Sequence, residues 1–208
     1  MTEQELEKQK SEKPAQRGAL RQQDRRVRKT KAQLRRCLAA LMKTKKINEI
    51  TVKELTDLSD LNRGTFYLHY KDVFDLLEQT ESELIEEFDQ TLDRFDLSTF
   101  KKPPTALFEE IFTLVKENKD IVGVLIGDNG DLNFTMQMCT IVEKRCLKSM
   151  MGHVTIVNPE YAKLYTRFLL SGCIGIIQYW IRTDCAESPH KLAVTTEKIV
   201  TDGLRALE

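Results

Sequence analysis

Residues 50–72 read ITVKELTDLSDLNRGTFYLHYKD, and the capping signals in this stretch divide it into two short helices and the start of a third. Thr51 followed by Glu54 is the reciprocal pattern in which each side chain satisfies an orphan backbone amide, and Ile50 before the cap can staple onto Leu55. Asn62 repeats the device, with Leu61 before the cap and Phe66 inside the helix. Only Ser59, Asp60 and Leu61 separate the two helices. That link is too short for them to run side by side, so they cross steeply as in a helix-turn-helix. The spacing predicts an inner face of Val52, Leu55 and Leu58 against Phe66 and Tyr70. Arg63, Gly64, Thr65, Tyr67, Leu68 and His69 are left to face outward or sideways.

An arginine, hydroxyls, an aromatic ring, a bare backbone and an apolar Leu68 make an odd set for a merely solvated helix face. As a DNA-reading surface the set is coherent. Arg63 can reach a guanine edge, Gly64 lets the backbone approach, and Leu68 can touch a thymine methyl. Thr65, Tyr67, His69 and Lys71 suit phosphate oxygens, which position the helix without reading sequence. Thr51, Lys53 and Asn62 at the helix starts, with Arg26 and Arg28 upstream, complete the predicted DNA-binding set.

The run Asn62-Arg63-Gly64-Thr65-Phe66-Tyr67-Leu68-His69-Tyr70 resembles the recognition helix of the tetracycline-repressor (TetR) family of bacterial regulators. The likeness extends back through the Thr51 cap and covers residues 25–80; beyond it only the helical layout is similar. Two positions depart from the family pattern. Asp60 stands where a glycine commonly makes the turn, which aspartate tolerates because it visits left-handed backbone more readily than most residues. Val73 stands where the fourth helix often begins with a phosphate-binding lysine, a place that Lys71 can take.

Charge agrees with a DNA-facing N-terminus. The formal net charge is +0, yet residues 1–72 hold 18 Lys/Arg against 10 Asp/Glu, an excess of +8 that the remainder cancels. Such asymmetry marks an end that meets a polyanion. A basic solvent face is the plain alternative for Arg21, Arg25, Arg26, Arg28, Lys29 and Lys31; beside a helix-turn-helix, an arm and first helix lying on phosphates is the better reading. Cys37, Cys139, Cys146, Cys173 and Cys185 form no C-x-x-C pair and read as reduced packing residues of a cytoplasmic protein. His69, His153 and His190 are too scattered for a local metal motif, so no metal or cofactor is expected. No signal peptide opens the chain, and the apolar run near Phe168–Ile181 is too short and interrupted to span a bilayer, so no membrane partner is expected.

Along the chain the expectation is all-α. Residues 1–20 are a charged, disordered tail, residues 21–75 a three-helix DNA-binding domain, and residues 76–208 a helical ligand-binding and dimerisation domain. Asp72 caps a long helix that links the two, with Val73, Leu77, Thr80, Leu84, Phe88 and Leu92 on one stripe. Further helices are predicted over Ala106–Asn118, Ile121–Ile126, Leu132–Met151, Pro159–Arg182 and Pro189–Leu207, the last two opened by proline after a cap residue.

Gly172 and Gly175 lie inside the eighth helix, where each interior glycine costs about 1 kcal/mol against alanine. Close approach of a second copy accounts for them, with Ile176, Tyr179, Trp180, Ile199, Val200 and Leu204 completing a four-helix seam; packing within one chain is the alternative. The resemblance implies the dimer, since the family generally pairs through its last two long helices. It also implies a small-molecule pocket, for which Phe112, Phe134, Met138, Tyr161, Tyr165 and Phe168 are the candidates; ordinary core is the alternative for any one of them. No charged group stands out to orient a ligand. There is no nucleophile beside a base, no phosphate loop and no metal spacing, so no catalytic residue is proposed and an enzyme is not expected. The expected function is a ligand-responsive dimeric regulator, in this family most often a repressor, on an inverted-repeat double-stranded operator. The alternative is a sensor of the same fold that binds no operator alone.

Overall fold

The computed structural model of the chain describes residues 24–95, 104–127, 130–153 and 159–205; the tail expected over residues 1–20 lies outside them. Every regular element among the described residues is helical. They are α1 (residues 24–42), one 3-10 turn at Ile47–Glu49, α2 (Val52–Leu58), α3 (Arg63–Tyr67), α4 (Val73–Asp93), α5 (Thr105–Glu117), α6 (Lys119–Leu125), α7 (Leu132–His153), α8 (Pro159–Arg182) and α9 (Pro189–Arg205). The chain divides within α4 into two compact units, one ending at Leu77 and the next beginning at Glu78.

In the first unit the caps set the element ends. Thr51 Oγ1 accepts the Glu54 N–H at 3.2 Å and Glu54 accepts the Thr51 N–H at 3.0 Å, the reciprocal box that starts α2. α2 ends in a Schellman arrangement: the Leu61 N–H donates to the Thr56 carbonyl at 3.0 Å, the Asp60 N–H reaches the Asp57 carbonyl at 3.4 Å, and Asp60 sits at φ +50°. Glycine, asparagine and aspartate adopt that left-handed position most readily, so Asp60 can serve where a glycine would otherwise make the turn. Asn62 Oδ1 accepts the Gly64 N–H at 2.8 Å to start α3. Asp72 accepts the Asp75 N–H at 2.8 Å, and the Asp75 carboxylate accepts the Lys71 N–H at 2.7 Å, to start α4.

The core of this unit is Leu34 and Leu38 of α1, Leu55 of α2, Phe66 of α3, Tyr70, and Leu76 of α4. Leu58 corrects the expected inner face, because it is 52% exposed. Thr56 and Ser59 are buried instead, continuing the three-and-four spacing from Val52 and Leu55. Their hydroxyls are satisfied locally, Thr56 donating to the Val52 carbonyl at 2.8 Å and Ser59 to the Thr56 carbonyl at 3.3 Å, which is why two polar residues can occupy core positions.

In the second unit the rest of the α4 stripe, Thr80, Leu84, Phe88 and Leu92, is buried as the spacing predicts. Phe88 and Leu92 pack with Leu107 of α5, and Ile111, Met138 and Val142 close around them. α5 lies along α9, tied by Thr105 Oγ1 donating to Glu197 and by His190 Nδ1 at 2.8 Å from Glu109. Gln178 of α8 donates to the Ile126 carbonyl at the end of α6, while Arg145 of α7 bridges Asp89 (2.5 Å) and Asp93 (2.6 Å) of α4.

Candidate functional site

Arg63, Gly64, Tyr67 and Leu68 stand exposed on α3 and its C-cap, with Thr65 and His69 half-buried at the sides, while Phe66 and Tyr70 anchor the element inward. Leu68 is 79% exposed, although a leucine there gains nothing from water. The Tyr67 ring stands edge-on to Phe66 at 5.5 Å. Two contacts from α1 hold the motif: Lys31 Nζ lies 5.6 Å over the Tyr70 ring, and Gln33 Nε2 donates to the Ser59 carbonyl at 2.5 Å. Arg26, Arg28, Lys53, Asn62 and Lys71 are exposed in the same unit.

Thr51 is exposed too, but both of its donors are engaged by Glu54, the amide at 3.0 Å and the hydroxyl at 2.9 Å. A hydrogen bond from Lys45, then those from Thr51, hold the Glu54 carboxylate down at about 2, so the cap is charged at any physiological pH. Thr51 therefore shapes the α2 start before it can touch a phosphate.

The second unit encloses a cavity of about 220 Å³. Of the six residues expected there, Phe112, Phe134, Met138 and Tyr165 line it. Phe168 does not: it is 71% exposed, on the opposite side of α8 from the lining residues Thr166, Leu169, Leu170, Cys173, Ile174 and Ile177. The Tyr161 side chain lies outside the described residues. The sequence reading missed the α8 lining, although its three-and-four spacing was the available signal. Tyr165 donates from its hydroxyl to the Val200 carbonyl of α9, and Gly203 lets its ring approach, since a Cβ there would lie 2.8 Å from Tyr165 Cε2.

The expected seam divides in the same way. Gly172, Gly175 and Tyr179 of α8 and Ile199 of α9 face outward, with open space where a glycine Cβ would point, and Ile176 is half-buried beside them. Trp180 and Val200 are corrections. Trp180 is 1% exposed, stands edge-on to Phe112 at 5.6 Å and donates from Nε1 to the Glu187 carbonyl at 3.0 Å, so it belongs to the core of the second unit within one chain. Val200 is likewise buried and lines the cavity. The Leu204 side chain lies outside the described residues. Phe168 and Leu164 join the outward face instead, at helical spacing from Gly172, Gly175 and Tyr179.

Among the described residues no group of His, Cys, Asp and Glu could hold a metal ion, and no helix is long and apolar enough to cross a membrane.

Residues 103–202 match a family model described as a transcriptional regulator C-terminal region. The HTH-type transcriptional regulator YxbF of Bacillus subtilis (strain 168) is 26% identical over 175 residues, which take in 82% of this chain but only 44% of the relative. The chain thus spans less than half the length of that protein. Among solved structures, a TetR transcriptional regulator from Streptococcus agalactiae 2603V superposes with a TM-score of 0.55 at 20% identity, covering 86% of this chain and 97% of that one. SmeT of Stenotrophomonas maltophilia in complex with triclosan gives 0.59 at 14% identity, covering 82% and 89%. At these identities the structural likeness establishes the fold.

Proposed function

We propose that this chain, a member of the TetR family of transcriptional regulators, binds an inverted-repeat operator as a homodimer and loses operator affinity when a small molecule fills the cavity of its second unit. The observation that carries the operator reading is the outward face of α3, where Arg63, Tyr67 and the bare Leu68 stand together on a helix anchored by buried Phe66 and Tyr70. A side chain able to meet a guanine edge and another able to meet a thymine methyl have a use in a major groove and none in water. The dimer reading draws on Leu164, Phe168, Gly172, Gly175, Tyr179 and Ile199, an apolar and close-approach face on the last two helices. One short recognition helix reads only a few base pairs, whereas a two-fold pair reads two half-sites.

Ligand control follows from population shift: a molecule that binds better to the state with badly spaced recognition helices lowers operator affinity by its differential affinity for that state. SmeT, a structural neighbour, is described as the repressor of a multidrug efflux pump, and by analogy this chain acts as a repressor in the cytoplasm. The test is a footprint of the pure protein on the intergenic DNA beside its own gene. Protection of an inverted repeat with half-sites about 34 Å apart, lost steeply as salt rises, is expected. A failure to protect any such DNA at low salt would favour a sensor that binds no operator alone.

A further inference from the structure

Glu81 interrupts the buried stripe of α4, at the three-and-four spacing of Leu77 and Leu84, where an apolar side chain is the expected occupant. The residue is half-buried, and its Oε1 is covered with no hydrogen-bond partner among the described residues. The charges that face it are both negative: Asp131, in the turn between α6 and α7, and Glu78, on α4 itself.

Asp131 has little freedom to turn away. Its N–H donates to the Leu125 carbonyl at 2.9 Å, the Gly130 N–H donates to the Gly127 carbonyl at 2.9 Å, and a Cβ at Gly130 would run into the Leu125 carbonyl. Its Oδ1 accepts the Asn133 and Phe134 N–H groups at 2.6 and 3.1 Å, which pins the carboxylate as the cap of α7. A fixed anion thus faces a covered acid. An acid so placed keeps its proton, because the ionised form would lie unpaired against a like charge.

We infer that Glu81 is a proton sensor: protonated, it lets α4 seat against the turn that opens α7, and on losing its proton it swings to water and releases that contact. Burial, then the charges of Asp131 and Glu78, raise its pKa to about 7, from the ~4.3 of a free glutamate. The seated form holds the proton more tightly, so the contact is firmest below about pH 4, weakens as pH rises to 7 and levels off above it. Both sides of the contact belong to the second unit, so the release needs no DNA. It acts nonetheless on α4, the helix within which the two units divide.

Hydrogen exchange of the full chain at pH 6 and pH 8, with labelling times scaled to equal intrinsic chemistry, reads the contact in residues 78–84 and 131–136. Linkage between a seated pKa of about 7 and a released one of ~4.3 gives about a tenfold loss of protection between those pH values. Glu81→Gln has no proton to lose and should keep its pH 6 protection at pH 8. Asp131→Asn retains the capping oxygen but removes the facing charge, and should shrink the loss well below tenfold. Equal protection of the parent at both pH values overturns the sensor, as does a Glu81→Gln variant that loses protection as the parent does. A full tenfold loss in Asp131→Asn overturns the pairing of Glu81 with Asp131.

Discussion

In the first unit the side chains offered to a partner stand on the outside of a frame: Arg63, Tyr67 and Leu68 are exposed, and Phe66, Tyr70 and Leu55 behind them are buried. In the second unit the arrangement is inverted, since the residues that line the cavity are the core itself, with Phe112, Phe134 and Tyr165 both packing the helices and lining the space between them. The difference teaches where mutation can separate function from folding. On α3 the two are carried by different side chains of one helix; around the cavity they are carried by the same ones.

The largest expected effect follows from that separation. Phe66→Ala removes a fully buried ring and should cost about 3–5 kcal/mol in urea unfolding of the first unit, with DNA binding lost as a consequence. Leu68→Ala, two residues on, should leave stability within about 0.5 kcal/mol while still weakening operator binding. Equal stability losses in the two variants would break the comparison.

Next is the outer face of the second unit. A side chain at Gly175 meets nothing within 4 Å in its own subunit, so Gly175→Leu should leave the subunit's melting unchanged yet raise the dimer dissociation constant at least about tenfold. Sedimentation across micromolar concentrations checks it, and an unaltered dimer would move the seam elsewhere. Smaller, at about 1 kcal/mol, is the loss expected for Thr51→Ala, which removes the box that starts α2. Chemical denaturation measures that loss, and an unchanged midpoint would return Thr51 to a purely DNA-facing role.

The smallest concerns Glu81 of α4, whose Oε1 is buried with no hydrogen-bond partner among the described residues. Burial, then the charges of Asp131 and Glu78, push its pKa up to about 7, above the ~4.3 of an unfolded glutamate. The folded state thus holds this proton more tightly, so the associated stability is full below about pH 4 and is lost as pH rises through 7. Glu81→Gln should flatten that slope and leave the variant more stable than the parent at pH 8, by less than about 1 kcal/mol once solvent screening is allowed for. Thermal melts at pH 4, 6 and 8 check it, and a variant less stable at pH 8 would contradict the assignment.

Much of this was legible beforehand because caps are local. Thr51 with Glu54, Asn62, and Asp60 in its left-handed turn each declare themselves within a few residues, and the α4 stripe follows from one helical period. Leu58 was misread because hydrophobicity alone cannot say that Thr56 and Ser59 will satisfy their hydroxyls locally and take the inner positions. α8 misled for a related reason: it carries two apolar stripes, one through Cys173, Ile177 and Trp180 and one through Phe168, Gly175 and Tyr179. Periodicity separates the stripes but does not state which one faces the core. Phe168 and Trp180 were exchanged on that account.

Whether α3 reads bases is tested directly by selection from a randomised duplex library with the parent protein and Arg63→Ala. The parent should enrich an inverted repeat, and the variant should enrich the same repeat with preference relaxed at one position in each half-site and about 1–3 kcal/mol of discrimination lost there. A variant whose affinity falls uniformly over all sequences, with the motif otherwise intact, would contradict it and make Arg63 a phosphate contact.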